Sequence, residues 1–340
     1  MGKGIGIDLG GSNLRVCLAD RGVVIHEPSL AAVCKETSRI LKFGAAAEAF
    51  LKESPKEANA VRPFRGGVVH QCDTAQKVLS WCRKRCFGQG SSTSVRALLS
   101  VPCGLTEVEQ SAMIEVAIGA GFEEPYLVYA PLAALYGAGM NVGASALVVT
   151  VGSNKTDILA VHRGRCVHID STDAAGDMFD DAIVSYIQRK YRVRLSVRNA
   201  EIVKNRLGTV WSEMNTPTQR IDLGVKDSYG NQKVITVTSD EMFTILEEPT
   251  AALMEAICRA ISCLPLESVK DIFDTGILLT GGMANLDGLD KMIFGVTGVR
   301  CRKIDDPGDA VIRGMQLLLE QAPNSIRNGC INFAEFLLKS

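Results

Sequence analysis

Residues 5–19 read IGIDLGGSNLRVCLA: an apolar run, then Asp-Leu-Gly-Gly-Ser-Asn, then a second run alternating toward apolar. This pattern predicts two strands meeting at a tight turn, with an acid, Asp8, near the end of the first strand. Gly10 and Gly11 permit a close backbone approach, and Ser12 and Asn13 suit a turn. Successive N–H groups in such a turn form an anion-binding concavity. Asp8 at its lip opposes a bare phosphate and makes sense there chiefly when a hydrated Mg2+ accompanies it. Taken alone, the stretch reads first as an ordinary hairpin with a polar tip.

The same pattern returns 142 positions later. Residues 147–161, LVVTVGSNKTDILAV, repeat apolar run, Gly-Ser-Asn turn and apolar run, placing Thr150 on Asp8, Gly152 on Gly10 and Asn154 on Ser12. A repeat of this length predicts two similar domains, each opening on a strand-turn-strand. Two facing turns can grip a polyphosphate from opposite sides. A third turn, LLTGGMANLDGLD at 278–290, sets another glycine pair between an apolar strand and a helix. The alternation of strand and helix patterns around these turns predicts an α/β fold with mixed sheets, and a ligand cleft where the turns converge.

With these motifs in place, the chain resembles the MreB-type bacterial actins, within the larger family of actins, sugar kinases and heat-shock ATPases. GIDLGGSN resembles that family's first phosphate turn. RPFRGGVV (62–69), VPCGLTEVEQSAMIEVAIGAGF (101–122) and YLVYAPLAALYGAG (126–139) are similar to MreB segments, as are AGDMFDDAIVSYIQRKY (175–191) and AEIVKNRLGT (200–209). The resemblance runs in order over about residues 4–320. It implies an actin-like ATPase fold of two related domains, each with a mixed sheet flanked by helices, and a nucleotide cleft between them. The expected divisions are 1–143 (small insertion about 31–60), 144–308 (insertion about 176–249), a helix 309–322 packing back on the first domain, and a tail 323–340.

The resemblance also implies a site for ATP and Mg2+. Gly10, Gly11, Ser12 and Asn13 would wrap the β-phosphate by main chain, and Asp8 would hold the metal through water. Gly152, Ser153, Asn154 and Lys155 form the second phosphate turn. Glu201 and Lys204, one helical turn apart, match the family's Glu-x-x-Lys beside ribose and adenine; read from spacing alone they make a surface ion pair. Gly281, Gly282 and Met283 would lie along the adenosine. Two family acids are replaced. Thr150 stands where the second turn carries Asp, and Ala130 stands before Pro131 where a Glu orients the attacking water. Asp157 is expected to leave the turn along the second strand. Lys155 can contact a γ-phosphate, replace the lost metal charge, or face solvent. The implied function is a filament-forming, ATP-binding bacterial actin acting in cell shape at the inner face of the membrane, with cell-shape or cell-wall synthesis proteins as partners and with slow or absent hydrolysis. The alternatives are a monomeric actin-fold adaptor with a vestigial site and, more weakly, a small-molecule kinase.

Composition bounds these readings. The chain has 340 residues, 46% of them hydrophobic, and a net charge of −1, so two large cores are expected and a nucleic-acid-binding field is not. No apolar run reaches the roughly 18 residues of a membrane span. The eleven cysteines are scattered, many in apolar runs, which suits a reduced, cytoplasmic protein without a zinc site. Only Met1 to Lys3 precede the first strand, so an N-terminal amphipathic anchor is not expected. The candidate membrane contact is the loop at Cys86-Phe87 beside Arg83, Lys84 and Arg85, which also read as a solvated helix end; the tail helix at 331–339 is next.

Overall fold

The computed structural model describes residues 3–88, 94–140, 143, 145–211, 217–227 and 229–320. Its frame is two five-stranded sheets of one topology. In the first, the order is Glu124–Tyr129, Val95–Val101, Lys3–Leu9, Asn13–Leu18, Gly22–Pro28. Lys3–Leu9 begins an antiparallel meander, and the two later strands join its other side in parallel. The second sheet repeats this with Arg165–Thr172, Thr156–His162, Ala146–Val151, Ile277–Thr280 and Cys301–Lys303. The repeat read from the sequence is therefore a repeat of topology and of register. Asp8 lies opposite Arg15, and Thr150 lies opposite Asp157. Ala146–Val151 and Thr156–His162 are buried at every position, because helices or sheet cover both faces of these central strands.

Three cores hold the frame. One lies between the first sheet and the helices Cys72–Phe87 and Glu107–Gly119; another lies between the second sheet and the helices Gly176–Tyr191, Val197–Leu207 and Glu247–Ser262. The third joins the halves. The helices Ala130–Gly137 and Ala310–Glu320 sit between the sheets and share one apolar cluster with Cys17 and Leu98 of the first sheet and Val148 and Leu159 of the second. These two helices cross at glycines. A Cβ on Gly314 would fall 1.7 Å from the Ala133 carbonyl oxygen, and one on Gly137 would fall 2.0 Å from that of Ala310.

Local signals in the sequence map onto this frame with some shifts. Thr106 and Glu109, a Thr-x-x-Glu pattern, form a capping box at the helix Glu107–Gly119. At the helix Ser239–Ile245 the cap is Thr238, boxed with Glu241. In the insertion expected at about 31–60, the helix Ala45–Glu53 rides on a three-stranded sheet of Ile40–Phe43, Ala31–Cys34 and Ala58–Val61. Gly22–Pro28 belongs to the main sheet, antiparallel to Asn13–Leu18. Phe87, expected to project as a membrane anchor, is half-buried and packs against the first core. The loop 89–93, Ala144 and the tail from 321 lie outside the described residues. Among the described residues no helix is long and apolar enough to cross a membrane.

Candidate functional site

The two hairpin turns face each other and meet. Gly10 is held so tightly that a Cβ there would lie 2.5 Å from the Asn13 carbonyl oxygen, and a Cβ on Gly11 would lie 1.6 Å from Asn154 Oδ1 of the opposing turn. The Asn154 side chain thus sits directly on the first turn. Its Oδ1 accepts from Gly66 N at 3.3 Å, and its Nδ2 donates to Asp177 Oδ2. The exposed Arg62, which shares a pocket with Asn154 and Asp177, donates to the Gly11 carbonyl oxygen.

Behind the contact lies a cavity of about 100 Å³, lined by Asp8, Gly11, Ala130, Thr150, Ser153 and Asp157 among others. Asp8 is buried; Ser100 Oγ donates to it at 2.7 Å, and Arg15 stands 3.5 Å away. Burial outweighs the Arg15 guanidinium and raises the Asp8 carboxyl. Arg15 is shared, since its Nε also lies 2.9 Å from Asp309. Thr150 bonds Thr280, hydroxyl to hydroxyl, at 2.9 Å. Ala130 leaves the wall before Pro131 without a carboxylate. Asp157 lies on the second strand as expected, yet it does not leave the site: from its place opposite Thr150 it lines the cavity. Its Oδ1 accepts from Cys103 N at 2.8 Å, and burial pushes its carboxyl up to about 6.

The second turn is braced by the helix that follows. Gly176 N donates to the Gly152 carbonyl oxygen at 3.1 Å and Asp177 N to that of Ser153 at 2.7 Å. The first helical N–H groups, which lack partners inside the helix, are thus spent on the turn. The helix begins at Gly176 with Ala175 as its boundary, without a side-chain cap, and Asp177 in its first turn holds Asn154. Lys155 also lines the cavity; its Nζ pairs with Asp173 at 2.7 Å and its stem lies along Gly66.

Glu201 and Lys204 do not form the surface ion pair that their spacing suggests. Lys204 is buried, with Nζ 2.9 Å from Asp180 Oδ2 and 3.1 Å from the Gly176 carbonyl oxygen, while Glu201 is exposed. Asp180 lies on the neighbouring helix, 24 residues away in sequence, so spacing within one helix does not reveal it. In the third turn, Gly281 has φ +86° and abuts the Val151 carbonyl oxygen, and Met283 belongs to the second core. Gly282 is different, because a Cβ there meets nothing within 4 Å.

The fit to Mg2+ can be judged from the donors. Asp8 and Asp157 are two buried carboxylates on one small cavity, each raised by desolvation. Hard oxygen donors of this kind suit a cation that keeps part of its water and takes one or two carboxylates. No cluster of three or more His, Cys, Asp or Glu with metal-holding geometry occurs among the described residues, so a metal here would share its shell with water and phosphate.

The sequence matches the family described as MreB/Mbl protein over residues 2–327. It is 32% identical over 321 residues to the cell shape-determining protein Mbl of Bacillus subtilis, covering 94% of this chain and 96% of that one. Among solved structures, MreB5 of Spiroplasma citri bound to ADP superposes with a TM-score of 0.87 at 26% identity, covering 96% of this chain and 98% of that one. The AMPPNP-bound form gives 0.87 at 27%, covering 97% and 99%. The duplicated sheets, the facing turns and this end-to-end match agree: the chain belongs to the MreB/Mbl family of actin-like proteins.

Proposed function

We propose that this protein is a bacterial actin that binds adenine nucleotide between its two hairpin turns, assembles into filaments, and acts in cell shape at the inner face of the membrane. The observation that carries the reading is the pair of equivalent turns facing each other across one cleft, in a chain that matches the MreB/Mbl family from end to end. That MreB5 has been crystallised with ADP and AMPPNP supports the ligand class. The N–H groups of Gly10–Asn13 would receive phosphate oxygens, and Asp8 with Asp157 would hold Mg2+, whose charge would offset that of the phosphates. Electron microscopy and sedimentation of purified protein with and without Mg-ATP test the assembly. Filaments are expected, and a monomer under every condition would favour the adaptor reading.

Gly282 gives a test of the ligand's position. Because its Cβ direction is open, Gly282→Val should leave the thermal midpoint almost unchanged while abolishing the calorimetric signal of ATP. Retained binding in a well-folded variant would place the adenosine elsewhere.

Hydrolysis is expected to be very slow or absent. Attack of water on a γ-phosphate depends on positioning and electrostatics; Ala130 and Thr150 stand where the family resemblance implies the two acids. Loss of a positioned base costs about 10²–10⁴-fold. Phosphate release should therefore be near background in the wild type and appear in an Ala130→Glu, Thr150→Asp double variant. Wild-type turnover at the double variant's rate overturns this, and its loss in Asp157→Asn would identify Asp157 as the substitute acid.

A further inference from the structure

Away from the cleft, a second concave surface lies between the small subdomain and the helix Cys72–Phe87. It encloses about 650 Å³, and its walls carry Arg39, Lys42, Lys77 and Arg85 around Trp81. Lys77, Trp81 and Arg85 follow each other at four-residue steps and so form one stripe of the helix; the Arg85 guanidinium lies 5.4 Å from the centre of the Trp81 ring. Phe43 closes the floor, its ring 5.2 Å from that of Trp81. All four cations are exposed, and among the described residues none makes an ion pair or a side-chain hydrogen bond. The one carboxylate in the groove, Glu27, is committed to its own wall, accepting from Ala45 N at 2.9 Å.

The opposite wall adds a backbone feature. Ile40–Phe43 is an edge strand of its sheet, paired only with Ala31–Cys34. An edge strand offers a row of unpaired N–H and C=O groups to an added strand. Free cations, an aromatic floor and an open strand edge on one groove are what an extended acidic peptide requires: main-chain bonds give affinity, and alternate side chains give specificity.

We infer that this groove binds an extended acidic segment of a partner protein, carboxylates on Arg39, Lys42, Lys77 and Arg85 and an apolar side chain on Trp81. The recess favours a peptide over a bilayer, because a flat surface does not reach a floor set between a strand and a helix. The reading is independent of the nucleotide cleft. The test uses full-length protein and short fluorescein-labelled peptides alternating Glu with Val or Phe, with Lys-for-Glu peptides and anionic vesicles as the other arms. Anisotropy should show saturable, salt-sensitive binding of the acidic peptides only. In a Trp211→Phe background, Trp81 is the remaining tryptophan and its emission should shift on binding. Lys77→Glu with Arg85→Glu on one wall, and Arg39→Glu with Lys42→Glu on the other, should each weaken binding roughly tenfold or more, whereas Lys84→Glu, outside the groove, should not. Circular dichroism melts confirm that the variants fold. Failure of every acidic peptide to bind, equal binding by both charge-reversed pairs, or vesicle binding that depends on these four residues without peptide binding would each overturn the inference.

Discussion

Asn154→Gly should tighten Mg-ATP binding by roughly tenfold or more. The Asn154 side chain lies on Gly11, where the first turn would meet a phosphate, and it is tied to both halves through Gly66 N and Asp177. Nucleotide entering between the turns must first displace it, and the cost of breaking its two polar contacts is charged against binding; each is worth about 0.5–1.5 kcal/mol net. Calorimetry with ATP and ADP on both proteins decides the matter. Equal or weaker affinity in the variant would show that Asn154 assists the ligand rather than excludes it.

The largest loss of stability is expected from Gly314→Val. Glycine inside a helix ordinarily costs about 0.5–1 kcal/mol relative to Ala, and here two glycines face each other where the helices Ala130–Gly137 and Ala310–Glu320 cross. A methyl at 314 would overlap the Ala133 carbonyl, and this is backbone rather than a flexible side-chain end. Relief requires the helices to part, which opens the core shared by both sheets. Overpacking typically costs about 1–3 kcal/mol, and a clash on main chain belongs above that range. Expression in inclusion bodies, or a melting midpoint lower by roughly ten degrees, is the expected result. A variant melting within a degree or two of wild type would show that the crossing has slack.

What the sequence made legible was local or repeated. The hairpin turns, their 142-residue offset and the Thr106 capping box depend on neighbours within a few positions, or on a pattern met twice. The relations between side chains of the site were less accessible. Asn154 reads as a turn residue, and nothing within 147–161 says that it rests on Gly11. Lys204 reads as a surface cation because Glu201 is three positions away, whereas its partner Asp180 comes from another helix. The small sheet of the 31–61 region was obscured because its strands are only four residues long and the Ala-rich helix beside them dominates the pattern. Asp157 shows the converse: its strand position was readable, but its carboxylate is held by the backbone N–H of Cys103, 54 residues away in sequence.

The crossing of Ala130–Gly137 with Ala310–Glu320 has a mechanical consequence. It is the place where both sheets share one packed cluster, and it adjoins the small cavity through Ala130 and Val311. Two helix backbones in contact at glycines present little side-chain relief to a small rotation, so they form a fulcrum. A tilt of a fraction of an ångström at such a fulcrum would be multiplied along the strands to the outer subdomains. The exposed pair Glu48 and Arg198, which bridges those subdomains at 3.1 Å, sits at the far end of that lever. Spin labels at positions 48 and 198 should therefore separate far more on a change of ligand than labels placed beside the crossing.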